Sequence, residues 1–376
     1  MDFYNRLSAD LEQLREAGCY RTLRALPAEL VNLSGNDYLG LLNDTAFREA
    51  FYETLSGDMR NLSAASSRLL TGNVPVAIEL EETIAAAYGA EAALVFGSGY
   101  HANTGILPAL VGPKSLVLSD KLNHASMIDG IRASGATFYR FRHNDLAHAR
   151  TFLERYAQAY DEVFVMTESV FSMDGDCTDL DALVKLKADF PNVILYLDEA
   201  HGVGVFGETG LGLAHAKGVH QSIDILIGTF GKALCSTGAF AVCSKVIRDT
   251  LVNKMRPFIF TTALPPINLA WSLYVFNALP KMQARRAHLH SMGERLATTI
   301  RARGVDCVSE SQIVPFVIGS NEDAIAEAER FQKAGFYVLP IRPPTVPRGT
   351  ARLRFSLSAD LSEETFNRLL DVFHTI

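Results

Sequence analysis

Two residues placed just past apolar runs are the ones best suited to covalent chemistry. Asp198 closes the run Val193-Ile194-Leu195-Tyr196-Leu197, and Lys232 follows Ile225-Leu226-Ile227-Gly228 through Thr229-Phe230-Gly231. A lysine amine can hold an aldehyde as a Schiff base. A carboxylate buried at a strand end is expensive unless paired, and it can keep a pyridine nitrogen protonated. Together these are the requirements of pyridoxal 5'-phosphate, whose ring must accept electrons. Gly228 and Gly231 leave room for a bulky cofactor to approach the backbone. Thr229 offers a hydroxyl to a phosphate, and His201, three residues beyond Asp198, can bond a ring hydroxyl and orient the carboxylate.

Other polar residues follow other apolar runs. Gly97-Ser98-Gly99-Tyr100-His101-Ala102-Asn103 opens a helix after a strand, where backbone N–H groups and the helix dipole favour a phosphate. His124 lies in Asn123-His124-Ala125-Ser126, where an imidazole could stack on a cofactor ring and donate to a substrate carbonyl. Glu168 and Ser172 come just past a fourth run, and Thr261-Thr262 add hydroxyls. Polar residues gathered at several strand ends match the rule that open α/β sheets bind ligands at their carboxyl edges.

The elements that must position these groups are legible from periodicity. Strands are expected at 93–96, 115–118, 137–141, 162–167, 193–197, 224–228 and 239–243. Several are continuous Val/Ile/Leu runs without alternation, the mark of burial on both faces in a mainly parallel sheet. Helical stretches between them give an α/β layered fold. Val76, Leu80, Ile84 and Ala87 make one helix face ending near Gly89, and Phe3, Leu7, Leu11 and Leu14 make an amphipathic first helix. Beyond Pro265-Pro266 the pattern changes. One or two long helices are expected over 267–303, with the basic stretch Lys281 to Arg286 on a solvated face. A strand at 314–318, a helix at 322–333, strands near 337–340 and 352–356, and a final helix from Ser362 complete a smaller α+β unit. The expected division is an N-terminal helix and arm over 1–45, a large cofactor-binding domain over 46–260, and a connecting helix with a C-terminal α+β domain over 261–376.

Bulk properties narrow the partners. The chain has 376 residues, 48% hydrophobic and 20% charged, and its net charge of −7 argues against a nucleic-acid surface. Small molecules are the expected partners, with no membrane role. The five cysteines are scattered without a C-x-x-C pair, which fits reduced thiols rather than a disulfide frame or zinc site. Histidine pairs such as His143/His148 lack ligand-like neighbours, so no metal is expected. No apolar run reaches the roughly 18 residues of a membrane span. The charged start shows no secretory signal, so a cytoplasmic location is the expectation. Gly202-Val203-Gly204-Val205-Phe206-Gly207 is literally G-x-G-x-x-G, but glycines continue beyond it where a dinucleotide fingerprint needs a helix. Asp198-Glu199-Ala200-His201 matches a helicase box, but no phosphate loop accompanies it: Gly231-Lys232 is followed by Ala233.

Taken in order, N-D-Y-L-G at 36–40, S-G-Y at 98–100, N-H-A-S at 123–126, S-V-F-S-M-D-G-D at 169–176, D-E-A-H at 198–201, T-F-G-K at 229–232 and F-T-T-A-L-P-P at 260–266 resemble the α-oxoamine synthases. These are a branch of the fold-type I pyridoxal phosphate enzymes, and the likeness covers nearly the whole chain. The resemblance implies a homodimer with its active site at the subunit interface, and a decarboxylative condensation of an amino acid with an acyl thioester. It implies that Lys232 forms the Schiff base, that Asp198 and His201 hold the ring, and that His124 stacks on it. Gly99, Tyr100, Glu168, Ser172 and Thr229 would line the cofactor, together with Thr261 or Thr262 of a partner subunit. Arg354 would anchor the amino-acid carboxylate with Asn36 and Arg342 nearby, and Arg21 and Thr345 would contact the acyl substrate. The stretch from Ile341 to Arg354, opening Ile-Arg-Pro-Pro, is most similar to the branch serving biotin synthesis. That branch joins L-alanine to a pimeloyl thioester of CoA or acyl-carrier protein. Members acting on glycine or serine share most of these motifs, and the segment 61–73 departs from the usual pattern near the acyl chain.

Overall fold

The computed structural model describes residues 2–374. Two compact units emerge, one formed by residues 37–172 and 177–288, the other by 2–36, 173–176 and 289–374.

The larger unit is built on seven strands, which we number in chain order: β1 (Ala92–Phe96), β2 (Ser115–Asp120), β3 (Thr137–Phe141), β4 (Glu162–Glu168), β5 (Val193–Asp198), β6 (Ile225–Thr229) and β7 (Ala239–Cys243). All seven expected strands are present. Their spatial order is β1-β7-β6-β5-β4-β2-β3. Neighbours from β6 to β3 run parallel, while β7 is antiparallel to both β6 and β1. The sheet is therefore mainly parallel, as expected for the fold-type I architecture. Every residue of β1, β2, β6 and β7 is buried, because helices cover both faces. Val117, Met166, Tyr196, Ile225 and Ile227 pack with Ile106 and Leu107 of the Gly99–Leu110 helix, which puts the core on that side of the sheet. Each such aliphatic chain contributes roughly 1.5–3 kcal/mol on burial.

Two glycines allow close approach in this unit. Gly228 on β6 pairs with Phe240 on β7, and a Cβ at Gly228 would enter the Phe240 ring. Gly130, in the Ala125–Ser134 helix, lies against the main chain of the Gly99–Leu110 helix, where a Cβ would meet the Asn103 carbonyl oxygen. Gly130→Ala should push these helices apart and destabilise the protein by about 1–3 kcal/mol, measured by urea unfolding. A change within a few tenths of a kcal/mol would show that the helices are not held this tightly.

The long helical region after Pro265 is Pro266–Ala278, a single 3₁₀ turn at Leu279–Met282, and Gln283–Ala302. The expectation of a solvated basic face holds for Lys281, which is exposed, and fails at Arg286. Arg286 is only 4% exposed and donates to the carbonyls of Leu279 and Glu208, while Arg285 donates to the Leu39 carbonyl and pairs with Asp44. A guanidinium can be buried because its donors are rigidly directed at backbone acceptors. Burial lowers the Arg286 pKa from its ordinary value.

The smaller unit has a three-stranded antiparallel sheet in which Ala351–Ser356 lies between Pro340–Ile341 and Ile313–Gly319. Helices Asn321–Lys333 and Glu363–His374 supply Phe331, Phe366 and Phe373 to its core, where Phe331 meets Phe355 edge-on and Phe373 meets it at a tilt. The first helix, Phe3–Glu16, forms where its periodicity indicates, but none of its residues is buried. Its apolar stripe, Phe3, Leu7, Leu11 and Leu14, stays exposed.

Candidate active site

The parallel strands end together on one edge of the sheet, and those ends carry the chemistry. β4 and β5 pair in register so that Glu168 lies opposite Asp198, while Asp198 in turn pairs with Ile227 of β6. Two carboxylates thus stand side by side at adjacent strand ends, and Lys232 follows β6 by three residues.

Asp198 is 6% exposed, and its oxygens accept from Asn103 Nδ2 at 2.8 Å and the Ala200 N–H at 2.8 Å. Among the described residues it has no ion pair within 4.0 Å. Lys232 Nζ lies 2.9 Å from His201 Nε2, and His201 Nδ1 lies 2.6 Å from the Tyr38 hydroxyl. Thr229 Oγ1 accepts from the Gly231 N–H and donates to the Gly238 carbonyl, which shapes the turn leading to Lys232.

His124 caps the Ala125–Ser134 helix, its Nδ1 accepting from the Ser126 N–H. The surrounding walls desolvate the imidazole and lower its pKa; Asp198 opposes this and Lys232 adds to it. Glu168 Oε1 accepts the His124 N–H at 2.6 Å. Burial, reinforced by the charge of Asp198, raises the Glu168 pKa from 4.5 to about 8. The folded protein therefore holds a proton on Glu168 that the unfolded chain has lost, and stability declines as pH rises from about 4.5 to about 8. Glu168→Gln, a neutral isostere, should melt with wild type at pH 5 and above it at pH 8.5. Equal melting temperatures at both pH values would contradict a buried, proton-bearing Glu168.

The helix Gly99–Leu110 begins after β1, its Ser98 cap accepting from the His101 N–H. Tyr100 is half exposed and its hydroxyl donates to Asp129. Thr261 and Thr262 line a narrow pocket with Arg68, Phe96 and Gly97. Ser172 is half-buried beyond β4.

The remaining expected residues belong to the smaller unit. Arg354 is 8% exposed, and its guanidinium donates to Asn36 Oδ1 at 3.3 Å. Arg21 Nη2 donates to Thr345 Oγ1 at 2.9 Å, and Arg342 donates to the Gly18 carbonyl. Arg21, Arg342 and Thr345 line one cavity of about 540 Å³ with Leu339 and Ile341. So Lys232, His201, Asp198, His124 and Glu168 gather in one unit, and Arg21, Arg342 and Thr345 in the other.

Sequence reasoning passed over Tyr38, Asn103, Ser126 and Tyr196, although all but Tyr196 lie inside motifs it quotes. The available signal was chemical: an asparagine three and four residues before Ile106 and Leu107, on the apolar face of a helix, needs a reason.

A buried carboxylate without a cation and a lysine held against a histidine fit a protonated pyridine ring with an aldehyde. Fold and site together define a pyridoxal phosphate-dependent transferase of fold type I. The class I and II aminotransferase family model matches residues 28–373, and the chain belongs to that family, within its α-oxoamine synthase branch. A Pasteurella multocida protein bearing the provisional name 8-amino-7-oxononanoate synthase is 55% identical, covering 88% of this chain and 86% of its own. A Glaesserella parasuis protein with the same provisional name is 49% identical, covering 97% and 99%. Among solved structures, serine palmitoyltransferase from S. paucimobilis with a bound PLP–myriocin adduct superposes with TM-score 0.90 at 28% identity, covering 100% and 98%. The 8-amino-7-oxononanoate synthase of Francisella tularensis gives 0.78 at 27%, covering 93% and 98%. The protein is an acyltransferase that uses pyridoxal 5'-phosphate. No described helix is long and apolar enough to cross a membrane.

Proposed function

We propose that this enzyme condenses L-alanine with a pimeloyl thioester, carried by CoA or acyl-carrier protein, to give 8-amino-7-oxononanoate for biotin synthesis. The observation that carries the reading is the provisional name borne by relatives covering nearly the whole chain at about half identity. The cavity around Arg21, Arg342 and Thr345 supports it, being apolar along Leu339 and Ile341 with guanidinium groups to meet a carboxylate.

When bound, pyridoxal phosphate supplies the electron sink that stabilises negative charge at the amino-acid α-carbon. The chain's own residues do the rest. Lys232 carries the cofactor at rest and, as a free amine beside His201, removes the α-proton. Asp198 holds the pyridine nitrogen's proton in place by its fixed negative charge, and His201 bonds the ring hydroxyl. Gly99, Tyr100, Ser172 and Thr229 hold the phosphate and ring edge, with Thr261 or Thr262 contributed by a partner subunit of a homodimer. The exposed Phe260, Leu62 and Leu70 support such an association. Arg354 takes the amino-acid carboxylate as a bidentate pair, with Asn36 orienting its guanidinium. Arg21 and Thr345 contact the acyl chain, and His124 stacks on the ring and donates to the thioester oxygen as charge develops there. A carbon–carbon bond forms from the α-carbon to the thioester carbonyl, the thiol leaves, the alanine carboxylate departs as carbon dioxide, and the electron pair left on the α-carbon takes up a proton.

Thiol release measured with alanine, glycine and serine against pimeloyl, acetyl, succinyl and palmitoyl thioesters tests the assignment. Alanine with a pimeloyl thioester is expected to exceed every other pair in kcat/KM. Preference for serine with palmitoyl would instead place the enzyme with the serine palmitoyltransferases that share its fold.

A further inference from the structure

Asn103 is 2% exposed on the buried face of the Gly99–Leu110 helix, where its buried neighbours are Ala102, Gly105, Ile106 and Leu107. A buried side-chain amide there is costly unless its donors and acceptor are used. All of them are used. Nδ2 lies 2.8 Å from Asp198 Oδ2 and 3.0 Å from Ser126 Oγ, while Oδ1 lies 2.7 Å from the Tyr196 hydroxyl. Ser126 Oγ is in turn 2.7 Å from His124 Nδ1.

The direction of every hydrogen in this chain follows from one charge. An ionised Asp198 only accepts, so the NH₂ end of Asn103 must face it, and the carbonyl end must face Tyr196. Burial and the charge of Asp198 raise the Tyr196 pKa well above its ordinary value, so the phenol keeps its proton and donates. The second Asn103 proton goes to Ser126 Oγ. That oxygen, already accepting, turns its own hydrogen to His124 Nδ1, which also accepts the Ser126 N–H. The imidazole proton is left on Nε2.

We propose that Asn103 is a positioning residue that ties Asp198 to His124 and, through Ser126, fixes His124 as the Nε2–H tautomer. One buried amide thereby serves both groups: it braces the carboxylate reserved for the cofactor nitrogen and orders the imidazole as a ready donor. The consequence for catalysis rests on the role proposed above for His124; the tautomer itself does not.

The test is ¹⁵N NMR of the imidazole in histidine-labelled holoenzyme without acyl substrate, with the His124 signals assigned by their loss in His124→Gln. Wild type is expected to show a protonated Nε2 and an accepting Nδ1 on His124. Ser126→Ala removes the donor to Nδ1, and Asn103→Ala frees the Ser126 hydroxyl to turn. Both should mix the tautomers and raise the His124 midpoint by about half a unit to one unit, since a bond that favoured the neutral ring is lost. Turnover should fall about tenfold or more in each. Ser126→Thr, which keeps the hydroxyl, should retain the wild-type pattern. An Nδ1–H tautomer in wild type would overturn the proposal without any variant. So would lowered turnover in Asn103→Ala with the His124 signals unmoved, the mark of a merely structural asparagine. Because no acyl substrate is present, a wrong choice of alanine or pimeloyl would leave these signals unaffected.

Discussion

Lys232→Ala is expected to lower turnover by about 10⁴-fold or more, since in the proposed mechanism Lys232 is both the cofactor's attachment and the base for the α-proton. Borohydride reduction of the wild-type holoenzyme should leave pyridoxyl mass on the peptide carrying Lys232, and the variant should carry none. The fold should survive. Lys232 is only half-buried and contacts His201, so its loss should shift stability by about 1 kcal/mol or less. A variant that kept more than a hundredth of wild-type turnover would remove Lys232 from the centre of the mechanism.

Asp198→Asn should produce opposite effects with and without the cofactor. In the apoprotein the buried carboxylate is held by N–H groups and has no ion pair among the described residues, so neutralising it should leave the melting temperature unchanged or raise it. In the holoenzyme the same change removes the charge proposed to pair with the ring nitrogen. Cofactor affinity should drop by about 2–5 kcal/mol, and the stabilisation that the cofactor confers should shrink with it. Differential scanning fluorimetry across a cofactor titration reads both. If the variant were destabilised equally in both states, Asp198 would be a structural carboxylate and not the partner of a cation.

Much of this was legible in the chain. Strands β4, β5 and β6 are apolar runs too short and too β-branched for helices, and the polar residue after each stands out against them. Asp198 and Lys232 announce themselves for that reason. What periodicity omits is what covers a face and who answers a buried donor. The stripe Phe3-Leu7-Leu11-Leu14 identifies a helix but says nothing of its partner, and it is exposed. Arg286 sits in a basic stretch that reads as solvated, yet it is drawn inward by the carbonyl of Leu279 on the preceding turn and by that of Glu208, which only the fold brings near it. Asn103, Ser126 and Tyr196 are far apart in sequence, and their network exists only after two helices and a strand converge.

The contact at Gly130 has a consequence for the energetics of the reaction. At Gly130 the helix that His124 caps meets the main chain of the helix that carries Asn103, and the Asn103–Ser126 hydrogen bond ties the two together nearby. The donor proposed for the developing negative charge is thus mounted on a closely packed support with little room to relax as the charge grows. Water around an oxyanion must reorient its dipoles, and that reorganisation forms part of the barrier in solution. In the proposed mechanism the dipoles are aligned in advance during folding, and the absence of a side chain at Gly130 helps keep them aligned.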